Sequence, residues 1–164
     1  MRTLVVAALA LAVAAPASAA DLPKRKSGLW DLKMSAAGTP GGAQTMQMCI
    51  DEKTDNAAQQ SAGAMGKEAC TKQDIRREAG RMVVESVCKF GESTATTRSV
   101  FTGSFDSAYK VDIKSTYDPP LAGMKEGGTV IEAKWLGPCK PDQKPGDVIL
   151  ANGMKINMND AKAK

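Results

Sequence analysis

Residues 70–90, CTKQDIRREAGRMVVESVCKF, carry the strongest local argument in the chain. Glu78-Ala79-Gly80, taken as a three-residue hairpin loop with Gly80 at the left-handed bulge position, sets Arg77 opposite Arg81. Following that ladder outward brings Cys70 opposite Cys88. Directly opposed residues in a non-hydrogen-bonded pair have Cα atoms about 4.5 to 5.5 Å apart, within the reach of a disulfide. A two-residue Ala79-Gly80 turn would set Cys70 against Lys89, so the pairing rests on the loop length. A hairpin flanked by cysteines implies antiparallel β-structure held by a covalent bridge.

The chain has four cysteines, Cys49, Cys70, Cys88 and Cys139, which admit three connectivities. The hairpin favours Cys70–Cys88 and leaves Cys49–Cys139. That second bridge would staple an early strand to a late one and close a loop worth about 4 to 5 kcal/mol in the chain-entropy model. Bridged cysteines imply an oxidising compartment.

The N-terminus agrees with that compartment. Arg2, an apolar run from Leu4 to Ala15, Pro16 and then Ala17-Ser18-Ala19-Ala20 have the form of a secretory signal peptide over residues 1–19, with cleavage near Ala19/Ala20. The run is shorter than the roughly 20 residues a membrane-spanning helix needs, and no later segment is long and apolar enough to span. No cysteine stands near the cut to carry a lipid. The expectation is a periplasmic or secreted product without a transmembrane anchor. Lys24-Arg25-Lys26 follows the cut as a basic run, expected to be solvated or to touch an anionic lipid or wall polymer.

The remainder is long enough for one domain with one core. Residues 20–139 are expected to form a single antiparallel β domain and 140–164 a C-terminal extension with a small hairpin. The formal charge is +4, with acidic residues spread among the basic ones, which is no nucleic-acid signature. Histidine is absent. That excludes Ser-His-Asp and Cys-His nucleophiles, His-ligated zinc and imidazole acid–base catalysis. Bridged cysteines supply neither a thiolate nor a good metal ligand. Asp112, Asp118, Glu126 and Glu132 are the acid–base candidates that remain, and strand alternation sends Asp112 and Glu132 to the wet face. The expectation is no enzyme and no cofactor.

Period-two alternation fills most of the chain. Trp30, Leu32 and Met34 oppose Asp31 and Lys33 on one strand. Gln44–Ile50 forms a second, paired to the first across a turn at Thr39–Gly42. Asp51–Glu68 is polar and Ala-rich and suits either one short helix or a loop. Thr97–Phe105, Tyr109–Lys114 and Thr129–Trp135 are further strands. Tyr117–Gly128, with Asp118-Pro119-Pro120 and Gly127-Gly128, is expected to be an irregular connection and a natural place for a mobile lid or partner contact. Asn152-Gly153 between apolar runs predicts a hairpin of Val148–Ala151 with Met154–Ile156, followed by a frayed end from Asp160 to Lys164. Seven or so short strands give an all-β fold, an antiparallel meander or partly closed barrel with one short helix.

Ser27-Gly28-Leu29-Trp30-Asp31, a strand ending in Met48-Cys49, the cysteine-flanked hairpin and Lys134-Trp135-Leu136-Gly137-Pro138-Cys139 together resemble the bacterial family called "domain of unknown function 3617". The resemblance implies a small, exported, Met-rich, disulfide-bearing protein and brings no activity or catalytic residues with it. The segment from Lys140 onward is longer than that family's minimum.

Three function classes follow. Gly28-Leu29-Trp30 also resembles the Gly-x-Trp of the first strand in lipocalin-like barrels, where the Trp plugs the closed end beneath a ligand cavity. A cavity here would be lined by Trp30, Leu32, Val111, Ile113, Ile131 and Trp135 and would take an apolar small molecule or lipid. The alternative is an envelope protein-interaction module acting through a sheet edge. Met46 and Met48, with Met34 across the hairpin, form a weaker Cu(I) candidate, because thioethers two apart share a strand face and soft sulfur suits that ion. Alternating Met is commonly flexible core filler. The expected state is a monomer. A filled core with an apolar edge would favour the interaction module; a void would favour the ligand binder.

Overall fold

Alternation of apolar and polar residues repeats along almost every described segment, and it assembles into one sheet. The computed structural model describes residues 24–36, 42–55 and 70–160. Nine strands follow in chain order: β1 Gly28–Ala36, β2 Gln44–Ile50, β3 Cys70–Glu78, β4 Arg81–Phe90, β5 Ser93–Ser104, β6 Ala108–Leu121, β7 Met124–Gly137, β8 Asp147–Leu150 and β9 Lys155–Asn157. Their order in the sheet is β3-β4-β5-β6-β7-β1-β2-β8-β9. Every neighbouring pair is antiparallel. β3 and β9 do not pair with each other, so the sheet is open and the partly closed barrel is not formed.

The register lines up the apolar faces. One rung runs Val148, Met48, Trp30, Trp135; a second runs Leu150, Met46, Leu32, Ala133, Tyr109; a third runs Met34, Ile131, Val111, Phe101, Met82. These rungs hold the core, and Trp30 at its centre is fully buried. Among the described residues no second layer covers this face.

Gly28 is required where β1 meets β7. Its φ is +134°, and a Cβ there would collide with the Gly137 carbonyl and come within 2.6 Å of the Trp135 indole nitrogen. The close approach is what lets the Trp135 indole N–H donate to the Ser27 carbonyl at 3.2 Å.

Four expectations are corrected. The β3–β4 turn has two residues, not three: Glu78 faces Arg81 and Arg77 faces Met82. Ala79 and Gly80 have φ of 37° and 79°, the doubly positive pattern whose twist suits a hairpin. The register then slips between Cys70 and Lys72, and that bulge brings Cys70 opposite Cys88 after all. The hairpin register that suggested the bridge was wrong, and an extra residue on β3 repairs it.

Tyr117–Gly128 is not an irregular connection. β6 and β7 run through it and turn only at Ala122-Gly123. Pro119 and Pro120 sit where β6–β7 pairing is interrupted between Thr116 and Leu121, so no ladder donor is lost there. Ser93 Oγ donates to the Pro119 carbonyl at 2.8 Å.

Asn152-Gly153 does lie in a hairpin turn, yet the loop is longer than two residues. Ile149 pairs with Lys155, and Leu150 N–H donates to the Met154 carbonyl at 2.9 Å, leaving Ala151, Asn152 and Gly153 to make the turn. The expected helix finds no support at its start, since Asp51–Asp55 is a turn. Its remainder lies outside the described residues, as do residues 1–19 and 161–164 and most of the Thr39–Gly42 turn.

Candidate functional site

The end of the sheet nearest Trp30 is closed by the chain preceding β1. Lys26 N–H donates to the Phe105 carbonyl at 2.9 Å, and the Trp30 indole N–H donates to the Lys26 carbonyl at 2.8 Å. The Lys26 ammonium stands 3.7 Å over the Trp135 ring, a cation–π contact. Arg25 points inward. Its Nε donates to Asp55 Oδ1 at 2.9 Å, its Nη1 to the Tyr109 hydroxyl at 3.3 Å, and its own N–H to Asp55 Oδ2. Nη2 lies 2.8 Å from Asp55 Oδ1 as an ion contact without hydrogen-bond alignment.

The two side chains are 2 % and 1 % exposed, so the basic run is not simply solvated: its middle residue is an internal tie. Losing one partner of such a pair strands a buried charge, at a cost of about 3 to 5 kcal/mol. The turn that delivers Asp55 is built by Asp51, whose carboxylate accepts from Thr54 N–H at 2.8 Å and from Lys53 N–H at 3.0 Å. Those bonds, Thr54's first, hold Asp51 below its ordinary carboxylate range. Burial pushes the Tyr109 hydroxyl up, against the opposing pull of Arg25.

Tyr109 stacks on Phe105 at 4.9 Å and tilts against Trp30 at 5.5 Å between ring centroids. Aromatic rings thus fill the closed end. The six residues expected to line a cavity share this face: Trp30, Leu32 and Val111 belong to the buried core, while Ile113, Ile131 and Trp135 pack against it half-buried. Trp30 is fully buried among these side chains. Met48 is buried in the same core, and Met34 and Met46 are half-buried on its margin. Among the described residues no group of three or more Asp, Glu, Cys or His side chains is placed to hold a metal ion.

The opposite sheet face is charged. Lys33, Glu132 and Lys110 lie side by side across β1, β7 and β6, and Lys110 pairs with Asp112 at 3.4 Å. Asp112 and Glu132 therefore sit on the wet face among lysines. An open recess of about 480 Å³ lies over this face, bordered by Asp31, Lys33, Lys110, Glu132 and Lys134.

Apolar side chains stay exposed on the outermost strand. Met154, Ile156 and Met158 are 54 %, 42 % and 39 % exposed. Leu150 N–H donates to the Met154 carbonyl and Met158 N–H to the Gly146 carbonyl, each at 2.9 Å. One register therefore runs from Met154 to Met158, and the three side chains lie on one face, two residues apart. Bonded and non-bonded pairs alternate in an antiparallel ladder. The N–H and C=O groups of Lys155 and Asn157 consequently point away from β8, into the open edge. The sequence reading treated Met154 and Ile156 only as a small hairpin strand and passed over Met158. The signal available was the period-two spacing; what it lacked was the strand's place at the end of the sheet.

This edge is firmly seated. Gly146 N–H donates to the Cys49 carbonyl at 2.8 Å, and Asp147 accepts from Lys144 N–H and the Asn157 amide, each at 2.8 Å. Burial alone would raise Asp147, but those two bonds with the nearby Lys155 and Lys144 charges hold it below its ordinary range. The bridges join Cys49 to Cys139 and Cys70 to Cys88, leaving no free cysteine.

Fold and bridges define a class: an open antiparallel β-sheet domain, stapled by two disulfides near its two ends. The chain belongs to the family described as "Protein of unknown function (DUF3617)", which matches residues 25–139. No curated protein and no solved structure matches it. The matched residues run from buried Arg25 to bridged Cys139, and β8 and β9 lie beyond them.

Proposed function

We propose that this chain is an exported, non-enzymatic binding module that docks an extended segment of another envelope polypeptide by strand addition along β9. The observation that carries this is the Met154, Ile156, Met158 stripe on and beside β9, a strand whose outer edge pairs with no other strand among the described residues. Free N–H and C=O groups on one strand are satisfied by another extended chain, and the stripe asks that chain for an apolar residue at every second position. β8 already treats β2 in this way: Val148 and Leu150 face Met48 and Met46 across an antiparallel ladder. Export is supported by the leader-like N-terminus and the two bridges, and no helix among the described residues is long and apolar enough to cross a membrane. The lack of histidine supports binding over catalysis. A lipid or apolar ligand in the core has less support, because its lining candidates are packed against one another.

The test is a photo-crosslinking side chain at position 156 of the full-length exported protein, with position 76 on β3 as the control. The expected result is one discrete adduct from position 156 alone. Its crosslinked peptide should map to an extended, alternating segment, and Met154→Lys with Met158→Lys should abolish it without changing the circular dichroism. No adduct at 156, or equal adducts at both positions, overturns the proposal.

A further inference from the structure

Two of the three side chains in the β9 stripe are methionines, at positions 154 and 158, flanking Ile156 on one face. Both thioethers are accessible, whereas Met48 and Met82 are buried in the core. A thioether is the one apolar side chain that becomes polar by a mild, reversible reaction. The main chain at both positions is held by ladder bonds, Met154 C=O accepting from Leu150 N–H and Met158 N–H donating to Gly146 C=O. A change at the sulfur alters the face that β9 presents while these bonds keep the strand in place.

We propose that Met154 and Met158 form a reversible oxidation site that controls docking at β9, an inference that rests on the strand-addition reading. The oxidant is a peroxide. The sulfur lone pair attacks one peroxide oxygen, the O–O bond breaks as the S–O bond forms, and the departing hydroxide takes the proton of the sulfur-bound oxygen to leave as water. Each sulfur is oxidised by two electrons to the sulfoxide and the peroxide is reduced. A sulfoxide at each end of the stripe would have to be desolvated without a hydrogen-bond partner when an apolar strand docks. Docking then weakens by about tenfold or more per oxidised residue. Methionine sulfoxide reductases reverse the change.

Met124 supplies an internal control. It is as exposed as Met154, at 54 %, but it opens β7 at the β6–β7 turn, four strands from β9 in the sheet order. It should oxidise readily without affecting docking.

The experiment treats the full-length protein with hydrogen peroxide, maps sulfoxides by peptide mass spectrometry, and repeats the crosslinking from position 156. Met154, Met158 and Met124 should oxidise well before Met48 and Met82, and the adduct should disappear from the treated protein with circular dichroism unchanged. Reductase treatment should restore it. The Met154→Leu/Met158→Leu variant should give the adduct before and after peroxide, and Met124→Leu should protect nothing. Oxidation of Met154 and Met158 no faster than of the buried methionines, or complete oxidation with the adduct intact, overturns this inference and leaves the docking reading standing. No adduct from untreated protein overturns both.

Discussion

The two edges of the sheet are protected in opposite ways. β3 is long, carries Lys72, Asp74, Arg76, Arg77 and Glu78, and is interrupted by a bulge beside Cys70. Some of these charges are paired: Arg76 reaches Glu85 on β4 at 2.8 Å and Asp74 at 3.3 Å, and Arg98 on β5 reaches the same Glu85 at 3.4 Å. β9 is only Lys155–Asn157, with apolar side chains in the open on and beside it. Charges and a bulge are the usual devices that keep an edge from pairing with another chain. β3 has several charges and a bulge, whereas β9 has no bulge and a single charge, Lys155, which pairs with Asp142 at 3.0 Å, and this contrast is the reason the proposed docking is assigned to β9.

Removing the bridges should separate the ends most strongly. The Cys49–Cys139 bridge spans 90 residues and Cys70–Cys88 spans 18. Loop-closure entropy then assigns about 4.5 kcal/mol to the first and about 3 kcal/mol to the second. Urea unfolding of Cys49→Ala/Cys139→Ala and of Cys70→Ala/Cys88→Ala should show that order. A larger loss from the β3 bridge would break the picture of β2, β8 and β9 as an end that depends on its covalent anchor.

Acid should act next, and on the β9 end. The folded value of Asp147 lies below the ordinary 3.8, so its stabilisation is complete above that ordinary value and fades as the pH falls through the depressed one. Asp147→Asn should cost about 1 to 2 kcal/mol at neutral pH. It should also flatten the acid limb of a stability profile measured by thermal unfolding. An unchanged acid limb would mean that this carboxylate does not anchor the β8–β9 turn.

The smallest effect should come from the charged edge. Arg76→Ala removes exposed pairs and should change unfolding stability by less than about 1 kcal/mol, with no change in crosslinking from position 156. If it instead allowed the variant to self-associate through β3, sedimentation would show it, and that would sharpen the claim that charge keeps this edge closed to partners.

Part of this was legible in residue order and part was not. Alternation located the strands because period two is a property of the chain itself, but Tyr117–Gly128 misled. Its Pro and Gly residues are turn formers in isolation, and here the prolines fall where the ladder needs no donor. The Cys70–Cys88 bridge came from a wrong turn length offset by a bulge, and neither the turn nor the bulge is encoded by spacing alone. Arg25 looked like part of a solvated basic run because nothing local pairs it with Asp55, 30 residues away. The candidate site was half visible: Met154 and Ile156 stood out as a strand, and their exposure did not.

By itself the sequence determined an all-β, antiparallel, cysteine-bearing chain with a leader-like start and no histidine chemistry, because composition and side-chain periodicity are local quantities. Only the tertiary structure decided that the sheet stays open, that Arg25 is an internal tie, and that β9 is the outermost strand with its apolar face uncovered. Those depend on which strands become neighbours. Neighbour choice is set by long-range register, where β1 returns to pair with β7 and β8 adds to β2, and no short window of residues contains that information.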